Sequence, residues 1–227
     1  MGPGPANWQQ ALAARMGKLW VLKTLSTTGG IAVFFYAYFW VMRHPMSAVT
    51  VMPVSWVDGL VGFHPQTFAL YASLWVYVSL VAALAKDLRE LAAFGAASLA
   101  MSVAGLAIFM LLPTKVPVFD IDWALYPSMQ FLKYVDASGN ACPSLHAAFS
   151  VFAVLALRAQ LTEIGAPRWL LACNALWGLG ILYSAMATRQ HVALDVIAGV
   201  MLGGVVWIAY LGALAHRKQI PETGRKD

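Results

Sequence analysis

The chain has 227 residues, 60% of them hydrophobic and only 11% charged, with a mean hydropathy of +0.68. A soluble domain carries about 25% charged residues, so too little polar surface remains to coat a globule in water, and the composition indicates a single integral membrane domain, residues 1–227. The net charge is +5, but the basic residues are scattered beside apolar runs rather than gathered into a stripe, which excludes nucleic acid as a partner and makes them topology signals.

Residues 1–25 read as an interfacial amphipathic segment, with Arg15, Lys18 and Lys23 as its charges and Trp8 and Trp20 suited to headgroup depth. The run that follows holds "FFYAYFWVM", bulky to its end and without a small-residue cleavage site. It is expected to be a retained span, not a signal peptide. About 20 apolar residues cross a bilayer, and six runs approach that length: 26–43, 66–85, 91–112, 145–161, 169–187 and 192–215. Between the third and fourth, residues 113–144 include "WALYPSMQFLKYV", expected as short helices at the interface with Trp123, Tyr126 and Tyr134 at headgroup depth. The fold class is therefore all-α, with six transmembrane helices and a short-helix outer loop.

Six spans put both termini on one side. Of the 15 Lys and Arg residues, only Arg43, Lys115, Lys133 and Arg189 fall on the other side. That asymmetry predicts cytoplasmic termini, with residues 113–144 and the turn 188–191 facing outward. Cys142 and Cys173 are expected at opposite depths, too far apart for a disulfide. No Cys/His spacing suggests a zinc site.

Two motifs carry polar chemistry to the starts of apolar runs on that outer side. In "PSLH", Pro143 is expected in the first turn of the fourth span, where its missing N–H costs nothing. The amides beyond it and the positive end of the helix favour an anion; Ser144 adds a hydroxyl and His146 an ionisable ring. In "HVALD", His191 and Asp195 are spaced i to i+4, which puts both on one helix face. A carboxylate there fixes the imidazole tautomer and stabilises its protonated form, and such a histidine can act as nucleophile or base. Taken singly, each motif has a structural explanation: an interfacial histidine, a helix cap, an aspartate bonded to a neighbouring helix. Occurring together on one side, they point to one phosphate-processing site.

These residues resemble the type-2 phosphatidic acid phosphatase superfamily of membrane lipid phosphatases, whose motifs are K-x6-R-P, P-S-G-H and S-R-x5-H-x3-D. "PSLH" matches the second, with Leu145 in the glycine position. "SAMATRQHVALD" matches the third, with Ser184, His191 and Asp195 in register. The likeness covers roughly residues 105–205. It implies that His191 attacks phosphorus to form a phosphohistidine, that Asp195 orients His191, and that His146 protonates the leaving group. It also implies that Ser144, Leu145 and their amides, with Ser184, hold phosphate oxygens. Ala185 stands where the family has arginine, and "LLPTKVP" lacks the first motif's Arg-Pro. Phosphoryl transfer needs cations, and Lys115 and Arg189 are the candidates to supply them.

The expected function is hydrolysis of a lipid phosphomonoester or diphosphate at the outer face, with the bilayer and a phosphorylated lipid as partners and no metal or cofactor. "PSLH" also resembles the inositol-phosphorylceramide synthase branch, which would make the protein a headgroup transferase. A proton-coupled transporter would want its ionisable groups at mid-membrane, and here they cluster at helix ends. An intramembrane serine protease would need Ser144 paired with a histidine; His146 is too near in sequence, which leaves His191 as the open pairing. Gly199 and Gly203 form G-x-x-x-G, expected at a close helix contact. Asn174 is expected to hydrogen-bond between helices.

Overall fold

The computed structural model describes residues 7–130 and 140–216. Six stretches are helices long and apolar enough to cross a membrane: Trp20–Arg43, Pro65–Ala83, Leu88–Leu111, Leu145–Glu163, Arg168–Ala187 and Ala193–Ala215. In element terms these are α2 (Trp20–Arg43), α4 and α5 (Phe68–Ala72, Leu74–Ala83), α6 (Leu88–Leu111), α7 (Leu145–Glu163), α8 (Arg168–Ala187) and α9 (Ala193–His216). Two short helices lie outside the spans, α1 (Trp8–Gly17) and α3 (Trp56–Val61). The protein is an all-α, multi-pass membrane protein.

Local chemistry sets the boundaries. Leu19 takes the left-handed conformation and separates α1 from α2, so the first span begins at Trp20 rather than at residue 26. The second is not one straight helix. Its Ser73 hydroxyl donates back to the Leu70 carbonyl at 2.6 Å, at the junction of α4 and α5, a pattern that bends helices. Asp87 caps α6 by accepting the Glu90 amide at 2.8 Å. Ser144 caps α7 by accepting the Ala147 amide at 3.2 Å. Pro143 therefore lies one residue before the cap, not in the first helical turn.

α7 is the most enclosed of the six, and it packs against α5, α8 and α9. It presents alanines, including Ala147, Ala148, Ala153 and Ala156, to its neighbours. The close contact expected of Gly199 and Gly203 is present. A Cβ at Gly199 would strike the Ser144 carbonyl, and one at Gly203 the Ala148 carbonyl, so α7 and α9 touch backbone to backbone. Asn174 bridges helices as expected, accepting from the Tyr77 hydroxyl at 2.7 Å and donating to the Val154 carbonyl at 2.9 Å.

The two ends of the bundle differ. At one end Arg15 and Lys86 both pair with Glu163, at 2.9 and 2.6 Å. Gln160 donates to Glu90 at 3.1 Å, and Lys23 donates to the Ala83 carbonyl at 2.8 Å. At the other end the connecting segments converge. β1 (Thr50–Val51) pairs in parallel with β2 (Thr114–Lys115), a contact too short to leave a periodic trace in the sequence. Beyond β2 the chain makes a 3-10 turn at Trp123–Leu125, and Trp123 and Tyr126 pack edge-on around Phe63 at 5.9 and 5.4 Å. Tyr134, Lys133 and the tail residues Arg217, Lys218, Arg225 and Lys226 lie outside the described residues. Both cysteines are free.

Candidate active site

The helix-start motifs meet at the second end. The Ser144 amide donates to the Asp195 carbonyl at 2.9 Å, so the cap of α7 is bonded directly to the first turn of α9. The same segment is tied to β2: Ala141 donates to the Thr114 carbonyl at 3.0 Å, and the Cys142 amide to the Thr114 hydroxyl at 2.8 Å. The Ser144 hydroxyl accepts in the helix cap, and its amide donates to Asp195. The amides of Leu145 and His146, at the first two helical positions, take no partner among the described residues.

His191 and Asp195 come together by a different geometry from the expected helix face. α9 begins at Ala193, so His191 lies in the turn before it. Asp195, at the third helical position, reaches back and accepts the Val192 amide at 3.0 Å, as a capping-box acid does. Its Oδ2 then sits 3.6 Å from His191 Nδ1, with the carboxylate fully buried and the ring 8% exposed. The turn is held by Ala185, whose carbonyl accepts the amides of Gln190 and His191 at 3.2 and 3.0 Å. The Ala185 methyl clusters with Tyr71, Ala147 and Val196. Ala185 is fully buried there, at the position where the family motif has arginine.

His146 lies across from His191, their ring centroids 6.1 Å apart, close enough for one phosphoryl group to touch both. Tyr71 stacks on His146 at 4.1 Å and 10°, and Trp75 meets it edge-on at 6.0 Å. The Tyr71 hydroxyl is 3.4 Å from His146 Nδ1. With the rings nearly parallel it approaches from above the ring plane, so stacking rather than hydrogen bonding fixes the imidazole. His146 Nε2, His191 Nδ1 and Asp195 Oδ1 are buried without a hydrogen-bond partner among the described residues. Buried polar atoms are rarely left so; His191 Nδ1 faces the Asp195 carboxylate at 3.6 Å, and His146 Nε2 has no such neighbour among the described residues.

Both rings border a cavity of about 170 Å³. Its far walls are aromatic: Phe34, Phe35, Tyr38 and Phe39 of α2, and Tyr71 and Trp75 of α4 and α5. Asn140 also lines it; this residue takes a left-handed conformation and donates to the Tyr38 carbonyl at 3.3 Å. Burial, and next the Asp195 carboxylate, push the Cys142 thiol up, which keeps it neutral and unsuited to nucleophilic attack.

The remaining candidates are placed less centrally. Leu145 is buried, and its side chain fills the space left by Gly105, where a Cβ would come within 2.5 Å of it. The leucine in the motif's glycine position is thus matched by a glycine on α6. Ser184 is fully buried and its hydroxyl donates to the Ile181 carbonyl at 2.8 Å, within its own helix. Lys115 is exposed on β2, next to the residue that anchors the Ala141–Cys142 segment. Arg189, in a left-handed conformation, donates to the Asp58 carbonyl at 3.0 Å and lies over the Phe119 ring at 4.7 Å. Sequence reasoning overlooked Asp58, Tyr71 and Asn140. Only Asp58 left a local signal, the Ser-x-x-Asp of a capping box at 55–58. Among the described residues, no three His, Cys, Asp or Glu side chains converge as metal ligands would.

A family model described as the PAP2 superfamily matches residues 88–218, more than half of the chain. No curated protein and no solved structure matches it.

Proposed function

Because the chain belongs to the PAP2 superfamily, whose members are phosphatases or phosphotransferases, we propose that it is a lipid phosphatase acting at the outer membrane face. The observation that carries this reading is the His146–His191 pair closing one end of an aromatic cavity among membrane helices. A cavity so lined suits hydrocarbon, and the two rings at its end suit the phosphate that the hydrocarbon bears.

In this mechanism the His191 ring nitrogen remote from Asp195 attacks phosphorus in line with the ester oxygen. Asp195 holds the Nδ1 side and stabilises the positive charge that grows on the ring. His146 gives a proton to the departing alkoxide, or to the leaving phosphate of a diphosphate. The phosphohistidine is then hydrolysed by a water molecule that His146 deprotonates, which returns both rings to their starting states. The amides of Leu145 and His146, with Lys115 and Arg189, balance charge on the non-bridging oxygens.

The test is phosphate release from phosphatidate, phosphatidylglycerol phosphate and a polyprenyl diphosphate by the purified protein, with trapping of labelled enzyme. Acid-labile, base-stable label that disappears in His191→Ala supports the reading. Turnover that persists in His191→Ala overturns it. Product that forms only when a lipid alcohol is added would make the protein a headgroup transferase.

A further inference from the structure

Asp58 is a buried carboxylate that the phosphatase mechanism does not use. It belongs to α3, outside the segment that the family model matches, and is 1% exposed. Burying a charge there is costly unless it is fully bonded, and the bonds it makes go in two directions. Oδ2 accepts the amide and the hydroxyl of Ser55, each at 2.7 Å. Oδ1 accepts the amide of Ala193, the first residue of α9, at 2.8 Å. Its main-chain carbonyl accepts from Arg189 Nη1 at 3.0 Å.

One residue thus grips the chain on both sides of His191, two residues before it and two after. Arg189 has φ 56°, a conformation that a non-glycine residue keeps only where its surroundings hold it. Two of the holding contacts are the Asp58 carbonyl and the Phe119 ring. Ser55 supports Asp58 from its own capping box, so the chain of contacts runs from Ser55 through Asp58 to the turn that carries the nucleophile.

We propose that Asp58 is a positioning residue for phosphoryl transfer, acting through its side-chain bond to the Ala193 amide, and through its main-chain bond to Arg189, to aim the His191 ring. This rests on the phosphatase reading. A misplacement of about 1 Å at a reacting group can cost on the order of 100-fold in rate, and the clamp is short enough for its loss to produce a shift of that size.

The experiment is a double-mutant cycle read by the rate of phosphoenzyme formation and by thermal stability in detergent. Asp58→Asn keeps the side-chain volume but sets an NH2 group against either the Ser55 donors or the Ala193 amide. It is expected to slow phosphoenzyme formation about 10- to 100-fold. In an Ala193→Pro background, which removes the amide that Oδ1 accepts at a first helical position where proline is tolerated, the same change is expected to cost less than about threefold, because its route to the turn is already gone. Equal losses in both backgrounds, or a single variant within about threefold of wild type, would overturn the proposal. If Asp58→Asn does not fold, Ser55→Ala, which removes only one of the bonds to Oδ2, is taken through the same cycle and judged by the same criteria. A wild type that forms no phosphoenzyme sinks the phosphatase reading and this inference with it. An active wild type with additive losses sinks this inference alone.

Discussion

Replacing Asp195 by asparagine separates the electrostatic from the structural work of that carboxylate. Asp195 Oδ2 accepts the Val192 amide at 3.0 Å and lies 3.6 Å from His191 Nδ1. An asparagine oxygen can keep the first contact, so the start of α9 should survive. In the proposed mechanism, what is lost is the negative charge beside an imidazole that becomes positive as it attacks phosphorus. With an effective dielectric of about 20, unit charges at 3.6 Å attract by about 4–5 kcal/mol. The transition state has developed only part of that charge, so the expected loss is about 2–4 kcal/mol, or roughly 30- to 1000-fold in rate. The assay is rapid-quench measurement of labelled phosphoenzyme, with the melting temperature of both proteins as the control for folding. An Asp195→Asn enzyme that forms phosphoenzyme within threefold of wild type, at unchanged stability, would refute the argument that this charge stabilises the attacking ring.

The other expected outcomes concern the same framework. Gly199→Ala would drive a methyl into the Ser144 carbonyl and so part α7 from α9; it should cost about 1–3 kcal/mol of stability and lower activity, and an unchanged melting temperature would contradict the backbone contact. Asn174→Leu removes the side-chain bonds to the Tyr77 hydroxyl and the Val154 carbonyl, while the hydroxyl keeps the residue 174 main-chain carbonyl, 3.0 Å away; the expected loss is about 0.6–1.7 kcal/mol, measured by thermal unfolding in detergent, with activity largely kept. His146→Ala should reduce turnover of a lipid alkyl phosphate by about 100- to 10,000-fold, yet affect a nitrophenyl phosphate far less, since nitrophenolate leaves without a proton; equal losses on both would remove His146 from the acid role. With Cys142 and Cys173 replaced, a cysteine at Asp120 should react with an impermeant thiol reagent in intact cells and one at Thr162 should not; the reverse pattern would turn the site to the cytoplasmic face.

Much of this was legible in the one-dimensional sequence, because the bilayer imposes a length and a polarity that need no tertiary contact to be read. The six apolar runs became six helices, and the Gly199–Gly203 and Asn174 contacts fell where small and polar residues in a span are expected to fall. The Pro143–His146 and His191–Asp195 motifs were visible for the same reason: a charged or hydroxyl side chain at the edge of an apolar run stands out. Their geometry was not visible. An i to i+4 spacing implies a shared helix face, but a helix must begin somewhere. Here it begins at Ala193, so that capping, not helical periodicity, sets the 3.6 Å approach of Asp195 to His191. The aromatic cavity wall on α2, α4 and α5, the Tyr71 stack on His146 and the Asp58 clamp were hidden for a further reason. They join residues some 75 to 135 positions apart, and no local pattern encodes which distant side chain a buried ring will meet. Only the packing of the helices and their connecting segments decides that, by closing distances that hydrophobicity leaves open.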